Sequence, residues 1–100
     1  MIADKQPKTA SPPEPLELGQ VVITAAANAV LSPEEVLQAI SRHTYGDWGD
    51  LDEEDRRANK RALMDCGRIF SVYHSAKHVK FYIITEWNRM YTTVLLPDDY

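Results

Sequence analysis

A change of period along the 100 residues, from helical spacing to alternation, predicts an α+β fold. Between Ser32 and Asp65 apolar side chains recur at helical spacing, whereas from Arg68 onward they alternate as in strands. Gly, Pro, Asn and Asp punctuate the boundaries. Two or three short helices packed on a three- to four-stranded antiparallel sheet bury both patterns, with the helices on the sheet's more apolar face and a C-terminal β-meander.

Each element has its own signal. Four of the six prolines fall in the first fifteen residues, and almost nothing apolar lies between Ile2 and Leu16. Such a segment cannot offset the entropy of ordering, so residues 1–16 read as a disordered arm and residues 17–100 as one domain. Gly19-Gln20-Val21-Val22-Ile23 is a β-branched run suited to a strand that joins one sheet edge, and Thr24 can cap a short alanine-rich helix after it. Ser32-Pro33-Glu34-Glu35 is a capping box with Pro at the first helical position, starting a helix from Pro33 to about Thr44. Its inward positions are Val36, Leu37, Ala39 and Ile40. After Tyr45-Gly46-Asp47-Trp48-Gly49, Asp50 or Asp52 can cap a second helix reaching about Asp65, with Leu51, Ala58, Ala62 and Leu63 inward and Gly67 ending it. Ile69 to His74, Val79 to Ile84 and Met90 to Leu96 then alternate as three strands, and Pro97 stops the last.

Composition narrows the function. Fifteen acidic against eleven basic residues give a formal charge of -4, which disfavours nucleic acid as a direct ligand and binding to anionic lipid. The run Val21 to Leu31 is broken by Thr24 and Asn28 and is too short to span a membrane, and Met1 to Lys8 lacks the apolar centre of a signal peptide. One cysteine, Cys66, allows no internal disulfide and suits a reducing cytoplasm; beside a helix C-terminus it is not activated and reads as a buried filler. No phosphate loop, nucleophile elbow or zinc signature is present, so no cofactor and no metal is expected.

Four constellations remain. Asp47 to Asp55 holds six carboxylates in nine positions, but the glycine falls at the wrong place for a calcium loop. Asp52, Glu53, Glu54 and Asp55 instead complement a helix dipole, pair with Arg56 and Arg57 four residues on, or contact a basic partner. Arg42 to Gly49 sets His43, Tyr45, Asp47 and Trp48 on one connection, as a packed corner closed by Trp48 or as a His43–Asp47 acid–base pair. His74 and His78 flank a hairpin loop. Thr85-Glu86-Trp87-Asn88-Arg89 ends a strand with a carboxylate, an aromatic and a guanidinium, either as a turn in which Glu86 and Arg89 pair or as base, platform and clamp for RNA.

The stretch from Leu18 to Tyr100 resembles a family of short, mostly uncharacterised bacterial proteins encoded on plasmids and integrated elements, some carrying plasmid-related or restriction-associated labels. The resemblance rests on Leu18-Gly19-Gln20-Val21-Val22, Arg42-His43 with Gly46-Asp47-Trp48-Gly49, Leu51-Asp52-Glu53-Glu54-Asp55, and Ile83-Ile84-Thr85-Glu86 with Thr92-Thr93-Val94-Leu95-Leu96-Pro97. Here Trp87-Asn88-Arg89 stands where the family carries Ala-Asp-Arg. The resemblance implies the architecture and a mobile-element setting, with no activity attached. The expectation is therefore a cytoplasmic, non-enzymatic factor that meets an as yet unidentified protein partner through Asp47, Trp48 and Asp52 to Asp55. The rival is a small metal-free ribonuclease of the toxin or barnase-like type using His43, His74, Glu86 and Arg89.

Overall fold

A computed structural model describes residues 14–100. The disordered arm expected for residues 1–16 lies outside the described residues as far as residue 13. At its other end the boundary moves: the Leu16 N–H donates to the Thr44 carbonyl at 2.9 Å, and its side chain packs beside Trp48 and Leu51.

The chain runs β1 (Gln20–Ile23), α1 (Ala25–Val30), α2 (Pro33–Thr44), α3 (Glu53–Asp65), β2 (Ile69–His74), β3 (Lys80–Thr85) and β4 (Tyr91–Leu95), then a 3₁₀ turn at Pro97–Asp99. Strands β2, β3 and β4 form the antiparallel meander, and β1 completes the order β1-β4-β3-β2. The fold is α+β, with one difference from an all-antiparallel sheet: β1 lies parallel to β4. Three helices intervene before the chain returns to the sheet, which gives the long crossover a parallel neighbour requires.

Local chemistry explains the helices. The Ser32 hydroxyl accepts from the Glu35 N–H at 3.2 Å, and the Glu35 carboxylate accepts from the Ser32 N–H, closing the capping box. Helix α2 turns Val36, Ala39, Ile40 and His43 toward the sheet. Leu37, expected inward, is 67% exposed, since it sits about 100° round the helix from Val36 and off that stripe. Asp52 caps α3 by accepting from the Asp55 N–H at 2.8 Å. The helix ends at Cys66, which adopts the left-handed conformation (φ 58°) while the Gly67 N–H returns to the Ala62 carbonyl. That cap turns Cys66 outward, so it is exposed and not a buried filler.

Helix α3 runs along the outer edge of β2. Its buried residues are Asn59 and Ala62, whereas Ala58 and Leu63 face out, contrary to the apolar pattern. The reason is what α3 meets: the Asn59 amide donates to the Phe70 carbonyl at 2.8 Å and accepts from the Phe70 N–H at 3.0 Å. It therefore pairs an edge strand's backbone as a neighbouring strand would. Further along that edge Val72 exchanges hydrogen bonds with Trp48 and Asp50. Gly49 permits the approach: its φ is 73°, and a Cβ there would collide with the Val72 carbonyl.

Strand register assigns the two sheet faces. Ile69, Ser71, Tyr73, Phe81, Ile83, Thr85, Thr92 and Val94 share the inner face. There Ala27 and Leu31 from the α1 segment and Ala39 from α2 complete the main core with Tyr73, Phe81, Ile83 and Val94. Phe70, Val72, Tyr82, Ile84, Thr93 and Leu95 share the outer face. A second cluster, Trp48, Leu51, Ala62, Ile69 and Val72, wraps the β2 edge between them.

Candidate functional site

The corner after α2 is a closed structural unit. Arg42 donates from Nε to Asp47 at 2.7 Å, and its guanidinium carbon lies 4.8 Å from the centroid of the Tyr73 ring. The Tyr73 hydroxyl donates to the Asp47 carbonyl at 2.6 Å. Arg42 holds the Asp47 carboxyl below the usual range, while burial pushes Tyr73 up to about 12. Trp48 is 6% exposed, packed among Leu51 and Ile69. Of the two settings expected for Asp47 and Trp48, a packed corner or a binding surface, they take the corner, and Asp47 bonds Arg42 and not His43.

His43 lies under the inner face, 1% exposed. Its Nδ1 is 2.6 Å from Ser71 Oγ, its Nε2 is 2.8 Å from Thr85 Oγ1, Thr85 Oγ1 is 2.7 Å from Thr92 Oγ1, and Thr92 donates to the Leu18 carbonyl at 2.7 Å. The carbonyl can only accept, so every proton along the chain is assigned. Thr92 gives its proton to Leu18, Thr85 must give its own to Thr92, and His43 must donate from Nε2, leaving Nδ1 to accept from Ser71. Burial lowers the His43 pKa to about 4, so this neutral tautomer persists at pH 7. The ring ties α2 to β2, β3 and β4 and leaves no nitrogen for a substrate.

The other residues of the expected ribonuclease site are scattered. His74 ends β2 with Nδ1 2.7 Å from Asp50 Oδ2. Glu86 pairs with Arg68 at 3.2 Å, not with Arg89. Arg89 stands in the left-handed region (φ 60°) and donates to the carbonyls of Gly67, Glu86 and Ala62, capping the end of α3. His43, His74 and Arg89 line three different depressions. His78 sits in the hairpin loop at φ 67°. Among the described residues no three His, Cys, Asp or Glu side chains come together to hold a metal ion.

The acidic cluster divides into two groups. Asp47 is taken by Arg42, Asp50 by His74, and Glu53 lies 3.8 Å from Arg57. Arg56, expected to pair with Asp52, instead donates to the Leu51 and Gly49 carbonyls, holding the corner against α3. Asp52, Glu54 and Asp55 are left with no cation at ion-pair distance among the described residues.

Two of those carboxylates border the outer sheet face. Among the described residues no helix lies across this face; the 3₁₀ turn and Tyr100 cross part of it. Phe70 and Tyr82 are half-buried there with ring centroids 4.9 Å apart, and Tyr100 stands edge-on to Tyr82 at 6.1 Å. A depression of about 320 Å³ lies between these rings, Asp55 and Arg68. It adjoins a second of about 240 Å³ bordered by Asp50, Asp52, Asp55 and Lys80 over the same rings. Sequence reasoning missed Phe70, Tyr82 and Tyr100. The available signal was that β2 and β3 carry large apolar side chains at both parities, too many for one helical layer to cover.

Fold and site together define a small α+β domain with one face covered by helices and one left to an acidic, aromatic groove. No family model, curated protein or solved structure matches the chain.

Proposed function

We propose that this chain is a cytoplasmic, non-enzymatic interaction factor, accessory to a mobile element, that meets a basic surface of a partner protein through the start of α3 and the outer sheet face. The observation that carries this reading is that Asp52, Glu54 and Asp55 have no ion-pair partner among the described residues, with Asp52 and Asp55 beside the half-buried rings of the outer face. Charges without internal partners raise the field at a surface, and that field steers encounter with an oppositely charged one. The mobile-element setting rests on the family resemblance from Leu18 to Tyr100. No helix among the described residues is long and apolar enough to cross a membrane.

Copurification from the native host tests this reading, followed by association rates of the recovered partner at low and high salt. Wild type should associate faster at low salt, and Glu54→Gln/Asp55→Asn should be slower and less salt-sensitive. Identical rates for the two proteins would overturn it. The ribonuclease reading draws on one accessible pair, His74 with Asp50. We expect no RNA cleavage by the purified protein. Cleavage that survives EDTA and disappears in His74→Ala would replace the interaction reading with an enzymatic one.

A further inference from the structure

We infer that the depression between Phe70, Tyr82, Tyr100 and Asp55 receives an arginine side chain from an extended segment of the protein partner, an inference that rests on the interaction reading above. Its floor and wall are aromatic. Phe70 and Tyr82 lie side by side at 4.9 Å, and Tyr100 stands at 84° to Tyr82. Electron-rich ring faces of this kind attract cations, and the fold already supplies an example in Lys80, whose ammonium lies 5.9 Å from the Tyr82 centroid. The far wall carries Asp55, whose carboxylate has no cation beside it among the described residues.

The pocket is also fixed in shape. Asn59 is committed to the Phe70 backbone in both directions, which sets the floor. Arg68 donates to the Tyr100 hydroxyl at 3.2 Å and holds the wall, while its own charge is balanced by Glu86. Asp99 pins the preceding turn by accepting from the Thr24 hydroxyl at 2.7 Å and the Leu96 N–H at 3.1 Å. A pre-organised pocket loses less on binding than one that must order itself.

Charge and shape select the occupant. A planar guanidinium stacks on rings and meets a carboxylate through paired N–H groups, which an ammonium cannot match. Nucleobases also stack on sheet aromatics, but along the rim Asp50, Asp52 and Asp55 outnumber Lys80, and Arg68 is paired with Glu86, so the balance of charge repels the phosphates that accompany them. The complementary ligand is a basic peptide.

The probe is acetyl-Gly-Arg-Gly-Arg-Gly-amide, titrated into the ¹⁵N-labelled full chain, with the citrulline peptide as a neutral isostere and octauridylate as the RNA arm. The arginine peptide should shift the amides of Asp55, Phe70 and Tyr82, and citrulline should bind about tenfold more weakly, reflecting lost cation–π and carboxylate contacts. Asp55→Asn, on the surface, should weaken the arginine peptide about fivefold with the remaining spectrum intact. Tyr82→Leu should do the same if its spectrum shows it folded. No shift at these amides, equal binding of citrulline, or octauridylate shifting the same amides would overturn the inference. The two readings fail separately. A partner whose association still depends on Glu54 and Asp55 while the arginine peptide shifts nothing removes the arginine pocket and keeps the interaction. Partner association indifferent to those acids while the peptide binds removes the acidic steering instead.

Discussion

The two faces of one sheet handle polar groups in opposite ways. On the inner face Ser71, His43, Thr85 and Thr92 are buried, and they form one chain in which Ser71 donates first, His43, Thr85 and Thr92 each accept and donate, and the Leu18 carbonyl ends it. On the outer side Asp52 and Asp55 border half-buried rings, share that groove with Arg68 and Lys80, and make no ion pair among the described residues. A buried polar group without a partner is costly, so the inner chain has to close on itself; solvated carboxylates face no such demand and stay available. A histidine in an unusual place therefore marks structure here, and the ordinary-looking strand aromatics mark the open surface.

The largest test of this contrast concerns Trp48, for which the sequence offered both a packed corner and a binding surface. Trp48→Ala should destabilise by about 3 to 5 kcal/mol in urea unfolding, because a buried aromatic leaves a cavity among Leu51, Ile69 and Val72. An unchanged midpoint would return Trp48 to the exposed surface and break the division.

The inner chain makes a pH prediction with a defined sign. His43 is depressed to about 4 from 6.5, so the unfolded chain binds its proton first as pH falls, and stability is lost between roughly pH 6.5 and 4. Between pH 7.5 and pH 5 the loss should be about 2 kcal/mol. Asp47 and Asp99, both held below 3.8, contribute in the same sense at lower pH, with stability present above that value and lost as pH falls beneath it. The two windows are separate. Urea midpoints at pH 7.5 and pH 5 for wild type and His43→Gln will show the difference: equal slopes would mean that the ring meets solvent.

Much of the inner architecture was legible in the sequence. The Ser32 capping box, the bounds of α2, the Thr24 cap and the alternation in β2 to β4 follow from local chemistry, and the structure has each of them. What escaped were features set by neighbours distant in sequence. Asn59 faces inward because a strand edge needs a donor and an acceptor, which no helical period encodes. Arg89 leaves the Glu86 carboxylate to Arg68 and reaches carbonyls of the α3 terminus more than twenty residues away. The parallel pairing of β1 depends on where β4 ends up. The acidic run was visible in sequence, but which of its members find side-chain partners depends on where Arg42, Arg56 and His74 lie in three dimensions.

Asn59 joins the covered and open sides, since it fixes the strand whose Phe70 forms the groove floor. Asn59→Ala should cost about 1 to 2 kcal/mol by leaving the Phe70 N–H and carbonyl unpaired. Faster amide exchange at Phe70 should accompany it. Protection as in wild type would show that the edge is held by other means.

The smallest effect on stability is expected at the acids themselves, and the contrast depends on it most directly. In Glu54→Gln/Asp55→Asn each change removes a favourable interaction with the start of α3, which lowers stability. It also relieves repulsion within the run Asp52 to Asp55, which raises it. The two effects oppose each other at exposed positions, so the urea midpoint should shift by less than about 1 kcal/mol. A larger loss would show that these carboxylates hold the helix in place and would put them with the corner formed by Asp47 and Trp48. A small shift together with slower association would separate fold from interaction at single residues: the inner chain and the corner maintain the domain, and the acids at the start of α3 are free to meet a partner.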